Sequence, residues 1–127
     1  MKKQLDSVKQ FHKTYKIGYS KDPLADLGSE KNKLRFKLMS EENEEYLDAA
    51  NNNDIIEVAD ALGDMLYILC GTIIEHGMQD IIEPVFDEIQ KSNMSKLGKD
   101  GNPIFREDGK VMKGPNYFKP DFKKFFN

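Results

Sequence analysis

The chain has 127 residues, of which 39% are hydrophobic and 32% charged, with a formal net charge of −3. That is enough for one domain, residues 1–127, with a core that needs no disulfide or structural metal. No apolar run approaches the roughly 20 residues that span a bilayer, and Met1-Lys2-Lys3-Gln4-Leu5-Asp6 lacks the apolar stretch of a secretory signal. A cytoplasmic protein with no membrane partner is expected. The single Cys70 excludes an intrachain disulfide and, in an apolar stretch, reads as a packed thiol. The net charge hides a division: residues 1–90 carry 10 Lys and Arg against 18 Asp and Glu, net −8, whereas 91–127 carry 9 against 4, net +5. An acidic body with a basic tail suits a ligand that brings both metal and phosphate, and a tail that docks on its own body is the other reading.

Apolar residues at Leu5, Val8, Phe11, Tyr15 and Ile17 have the spacing of an amphipathic helix over 2–17. His12 reads there as a surface or packing side chain. Residues 18–28, with two glycines, Pro23 and two aspartates, form a connecting loop. The second helix runs from Ser29 or Glu30 to Ala50, with Ser29 as N-cap. Asn51-Asn52-Asn53-Asp54 is a compact turn that caps the next helix, and so short a link makes an antiparallel helical hairpin. The third helix, Asp54 to His76, ends at Gly77 and has Val58, Leu62, Met65, Leu66, Leu69 and Ile73 as its apolar face. A fourth helix runs from Gln79 to Ser95 with Pro84 in its first turn. Beyond Leu97, Ile104-Phe105-Arg106 and Val111-Met112-Lys113 can pair as a short hairpin around Asp108-Gly109. The expected fold is all-α, a four-to-five-helix antiparallel bundle forming a body over about 1–96, with a C-terminal loop or short hairpin extension over about 97–127.

Acids interrupt the apolar pattern on the two hairpin helices. At 100° per residue, Glu41, Glu42 and Glu45 share one stripe with Leu34, Leu38 and Ala49, while Glu44 points away. Buried carboxylates without a cation are too costly to keep. Counted from Asn52 in the turn, Glu45 is seven residues back and Asp60 eight forward; Glu41 and Glu42 are eleven and ten back, and Asp64 twelve forward. At about 1.5 Å rise per residue, such partners stand at nearly equal height, with Glu57 at the edge of the cluster. All-oxygen ligands favour Mg²⁺, Mn²⁺ or Ca²⁺, and the Glu-x-x-His pairs of di-iron bundles are absent. Such a metal orients an attacking water and offsets charge on leaving pyrophosphate. Glu41 or Glu42, whichever is not bound to metal, is then the candidate general base. In the basic tail Asn93, Lys96, Lys110, Lys113 and Tyr117 are candidate contacts to phosphates and a base.

These residues resemble the all-α nucleoside triphosphate pyrophosphatases, which include MazG-like enzymes, phosphoribosyl-ATP pyrophosphohydrolases and dimeric dUTPases. Glu41-Glu42-Asn43-Glu44-Glu45 is similar to their Glu-Glu-x-x-Glu, and Asp64, followed by Met65-Leu66-Tyr67, to the aspartate of their Glu-x-x-Asp. The resemblance extends to Phe11-His12, Arg35, His76-Gly77, Ser92 through Lys96 and the stretch from Asp108 to Tyr117, the last similar to a subgroup called Cof-like. One departure is Ala61, where the family has glutamate; Asp60 is the replacement ligand by position. The resemblance implies Mg²⁺-dependent hydrolysis of a nucleotide between its α- and β-phosphates, giving a nucleoside monophosphate and pyrophosphate. It also implies a homodimer or a dimer of dimers (homotetramer). The implied metal ligands are Glu42, Glu45, Asp60 and Asp64, with Glu57 less so. Alternatives are a phosphoribosyl-ATP pyrophosphohydrolase-type activity, or a non-catalytic metal-binding helical dimerisation module. Nucleic-acid binding through Lys119, Phe122, Lys123, Lys124 and Phe125 runs against the acidic body, so no nucleic-acid partner is expected.

Overall fold

A computed structural model describes residues 1–126. The chain is all-α: α1 Lys2–Thr14, α2 Ser29–Asn51, α3 Ile55–Glu75 and α4 Ile82–Met94, followed by a 3₁₀ turn, Lys123–Phe125. Among the described residues there is no strand and no sheet. The expected tail hairpin is one antiparallel bridge, Phe105 to Val111, flanked by hydrogen bonds from Arg106 N to Lys110 O and from Met112 N to Ile104 O. The chain divides into two compact units, 1–80 and 81–127. The division falls before α4, which therefore belongs with the tail.

In the first unit α3 packs against both α1 and α2. The turn between α2 and α3 works as its residues dictate: Asn53 takes a positive φ of 53°, which asparagine tolerates, and the Asp54 carboxylate accepts from the backbone N–H groups of Ile56 and Glu57. At the start of α2 the cap differs from expectation. Gly28, with φ 96°, is the N-cap, and Ser29 is the first helical residue without a side-chain cap. α1 is shorter than its apolar spacing, because Lys16 adopts φ 58° and turns the chain away after Thr14. α4 likewise begins later than the pattern suggests, with residues 79–81 in a turn.

The loop after α1 closes the C-terminal end of α3, whose last carbonyls have no partner within the helix. Ser20 N donates to Ile74 O and Leu24 N to His76 O, while His76 Nδ1–H donates to Leu24 O and Gln79 to Ser20 O. Gly77, at φ 68°, ends α3 where a Cβ would collide with the Asp22 carbonyl, so glycine is required on both counts.

The buried side of α3 corrects the expected apolar face. Ala61, Cys70, Gly71, Ile73 and Ile74 are buried, whereas Leu62, Leu66 and Leu69 are exposed. Small side chains let α1 and α2 approach, and the larger leucines sit outside. The rest of the core is Leu5 and Val8 from α1 and Ala49 from α2, together with charged and polar residues: His12, Arg35 and Glu75 are each below 9% exposed. Cys70 is fully buried, and burial pushes its thiol pKa up, as suits a packing residue.

In the second unit the tail lies along one face of α4. Ser92 Oγ donates to Phe118 O, Phe118 N donates to Ser95 Oγ, and buried Glu88 accepts from Asp121 N and Lys124 Nζ. Gly114 N donates to Lys96 O at 2.8 Å and closes the stem of the loop between them. A Cβ at Gly114 would clash with the Leu97 carbonyl, which explains a glycine there.

Candidate functional site

The α2–α3 hairpin brings Glu42 up against Glu45 on its own helix and against Asp60 and Asp64 across the pair. Glu42 is half-buried, and its Oε2 atom is fully enclosed with no hydrogen-bond partner. Burial is the largest cause pushing its carboxyl up to about 7; next come the hydrogen bond its protonated form makes to Glu45 and the negative charges of Glu45, Asp64 and Asp60. An enclosed acid that cannot comfortably ionise marks a place where positive charge is wanted.

The other candidates lie around this centre. Glu45, Asp60 and Asp64 are exposed at the residue level, which leaves them free to turn toward Glu42 or away. Glu41 is exposed and sits 3.9 Å from Lys37, one turn earlier on the same face. Glu57 is not among the charges acting on Glu42; with Glu45, Asp48, Ala49, Asn52 and Asp54 it lines a recess of about 340 Å³ nearer the turn. Ala61 is buried at 2% exposure, so the helix position where a glutamate was expected faces the core.

Among the described residues, no three His, Cys, Asp or Glu side chains converge on a common point that would hold a metal ion. The donor set nonetheless fits a hard divalent cation: four carboxylates, all oxygen, one of them with a buried unpaired atom. Glu42, Glu45, Asp60 and Asp64 are the residues that could hold it.

In the second unit Lys113 Nζ stands 4.8 Å over the Tyr117 ring, beside the Lys96–Gly114 stem. Lys110 lies on the hairpin, its N–H directed to Asp108 Oδ1, and Asn93 is exposed near the end of α4. The tail thus gathers Lys96, Lys113 and Tyr117, with Lys110 further along the loop.

One group of charges surrounds Arg35 and His12, which the resemblance named without a role, and adds Lys31 and Glu75, which the sequence reading did not single out. Glu75 on α3, 2% exposed, pairs with Lys31 at 2.9 Å and Arg35 at 3.2 Å. Arg35 also donates to Thr72 Oγ1 at 3.0 Å and to Ile68 O at 2.8 Å, and His12 Nδ1–H donates to Gly18 O. A Cβ on Gly71 would stand 2.6 Å from Arg35 Nη2 and 2.8 Å from His12 Nε2, so this network needs glycine at its centre. Lys31 and Arg35 share a helix face and Glu75 interrupts an apolar run, which was the available signal.

Among the described residues, no helix is long and apolar enough to cross a membrane. Over 81 residues the chain is 35% identical to an uncharacterised protein of Acanthamoeba polyphaga mimivirus; the match takes in 64% of this chain and 29% of that protein's length. A crystal structure of a "putative NTP pyrophosphohydrolase" from Exiguobacterium sp. 255-15 is 28% identical and matches over 92% of this chain and 88% of its own. The TM-score of 0.47 is too low for its sites to be superposed on these. The family model of the phosphoribosyl-ATP pyrophosphohydrolases matches residues 8–93, from within α1 to near the end of α4. That is well over half of the chain, which belongs to the phosphoribosyl-ATP pyrophosphohydrolase family, part of the all-α NTP pyrophosphatase superfamily.

Proposed function

We propose that this protein is a Mg²⁺-dependent nucleoside triphosphate pyrophosphohydrolase, cleaving between the α- and β-phosphates to release a nucleoside monophosphate and pyrophosphate. The observation that carries the reading is Glu42: a half-buried carboxylate with one enclosed, unpaired oxygen, under the negative charge of Glu45 on its own helix and of Asp60 and Asp64 on the other helix of the hairpin. Glu42, Glu45, Asp60 and Asp64 would hold the metal, with Glu57 at the margin; Mn²⁺ would substitute, being equally suited to oxygen ligands. When bound, the metal supplies Lewis-acid stabilisation of phosphate charge and orients water.

The chain's own groups do the rest. Glu41, exposed beside Lys37, takes the proton of the attacking water when Glu42 is committed to metal; Glu42 takes that role otherwise. The second unit carries its own candidate nucleotide contacts: the cations of Lys96, Lys110 and Lys113 for phosphate, the Tyr117 ring, with Lys113 above it, for stacking, and Asn93 for hydrogen bonds to a base. Leu62, Leu66 and Leu69, exposed at helical spacing along one side of α3, are apolar surface for a second copy of this chain to cover, giving a homodimer or a dimer of dimers.

Pyrophosphate release from a panel of ribo- and deoxyribonucleoside triphosphates and phosphoribosyl-ATP, with and without Mg²⁺, tests the reading. Metal-dependent release from at least one nucleotide is expected. Turnover of phosphoribosyl-ATP alone would make the activity that of the family's named substrate. No turnover with any substrate would leave the non-catalytic metal-binding module.

A further inference from the structure

We infer that Arg35 is a positioning residue for the acidic site: clamped to α3 at three points, it holds α2 at the height and rotation that set Glu42 and Glu45 opposite Asp60 and Asp64. The inference rests on the metal-binding role proposed above and adds to it a residue that touches neither metal nor substrate.

The geometry of the clamp carries the argument. Arg35 reaches Ile68 O, Thr72 Oγ1 and Glu75 Oε2, which follow one another along a single stripe of α3. A planar guanidinium bonded at several points on a stripe fixes both sliding and rolling of the helix that carries it. The acidic site continues the same two stripes: Glu42 lies seven residues after Arg35 on α2, while Asp64 and Asp60 lie four and eight residues before Ile68 on α3. Seven residues of helix rise only about 10 Å. The turn through Asn52 and Asn53 ties the other end of the hairpin, ten residues from Glu42. The acids therefore sit between two ties, and the clamp is the nearer one for Glu42 and Asp64.

The clamp is also built at some expense to the core. Glu75 is held at 2% exposure with two cations on it. Gly71 leaves α3 without a side chain where the guanidinium and the His12 ring come in, although glycine within a helix costs roughly 1 kcal/mol against alanine. An apolar contact would pack the same helices without fixing their register as tightly, since a buried ion network tolerates little displacement.

The test is titration of Mg²⁺ alone into the full chain by calorimetry, alongside the Mg²⁺ dependence of pyrophosphate release. Arg35→Lys keeps the charge but loses the planar fork. It is expected to weaken Mg²⁺ binding by about tenfold or more, the usual effect of losing a residue that orients metal ligands. The Mg²⁺ concentration for half-maximal rate should rise by the same factor, while the rate at saturating Mg²⁺ falls less. Thr72→Val, which removes one of the three contacts, should shift Mg²⁺ affinity in the same direction by a smaller factor, and it carries the test if Arg35→Lys does not fold. Val8→Ala, a core truncation on α1, should lower thermal stability and leave Mg²⁺ affinity as it was. Unchanged Mg²⁺ affinity in the clamp variants overturns the inference, as does equal weakening in Val8→Ala. A parent chain that takes up no Mg²⁺ removes the proposed function and this role with it, whereas a parent that binds while its clamp variants bind equally well removes only the role of Arg35.

Discussion

Two groups of charge lie on the same pair of helices, and they are resolved in opposite ways. Around Arg35 every buried charge has a counterpart: Glu75 faces Lys31 and Arg35, whose Nε–H donates to Thr72 Oγ1 and whose Nη2 donates to Ile68 O. Around Glu42, one to two turns away, there are only acids, and one oxygen is enclosed without a partner. The first group is neutralised by its own cations, although neither buried Glu75 oxygen has a hydrogen-bond partner, and so it contributes to architecture. The second lacks positive charge, and a protein retains such a defect where a ligand brings the missing cation.

The contrast can be broken at either end, and the largest effect is expected at the acidic one. Asp64→Ala should lower turnover by more than about a hundredfold, beyond the usual loss for an outer-shell partner, while the metal-free thermal midpoint holds or rises as repulsion is relieved. Retained turnover would place the metal elsewhere. At the compensated end the sign reverses. Glu75→Ala leaves the buried Arg35 guanidinium without its counter-charge, Lys31 being 40% exposed, and should cost about 3 kcal/mol in chemical denaturation, the lower end for breaking a buried pair from one side; a loss under about 1 kcal/mol would mean that solvent already screens the network.

A finer comparison lies within the acids. Asp60→Asn should weaken Mg²⁺ binding by about tenfold or more and Glu57→Gln by much less, because Asp60 acts on Glu42 and Glu57 does not. The reverse ranking, read by calorimetry, would shift the metal toward the recess near the turn. Smaller still is the effect of the turn: Asp54→Ala removes the cap on Ile56 and Glu57 and should cost about 1 kcal/mol of unfolding free energy.

The last comparison is one of pH. The folded-state pKa of Glu42, at about 7, lies above its ordinary value, so between those two values the folded protein binds more protons than the unfolded chain. Its contribution favours folding at low pH and is lost as pH rises through about 7. The metal-free thermal midpoint should therefore drop between about pH 5.5 and pH 8 by more in the parent than in Glu42→Gln. Equal drops would show that other groups set the pH dependence.

Much of this was legible in the residues because it depends on short-range rules. Helical period set Glu42 and Glu45 on one face, and the length of the Asn51–Asp54 turn placed Asp60 and Asp64 opposite them. Glu41 shares that period yet stands in solvent beside Lys37, since period says which side chains align and not how deep the stripe lies. The tail hairpin was visible at Asp108-Gly109, but it closes as a single bridge.

What the sequence determined by itself, then, is the set of helices and the antiparallel hairpin, consequences of backbone geometry over a few turns. The tertiary structure alone decided which face of α3 is inside, because that depends on how closely α1 and α2 can approach. The small residues Ala61, Cys70 and Gly71 permit contact where the leucines do not. It also decided that Arg35, Glu75 and His12 are core residues. Local pattern sets Lys31 and Arg35 on one helix face and Glu75 in an apolar run, but it does not say which charge meets which, because the partners are separated by tens of positions.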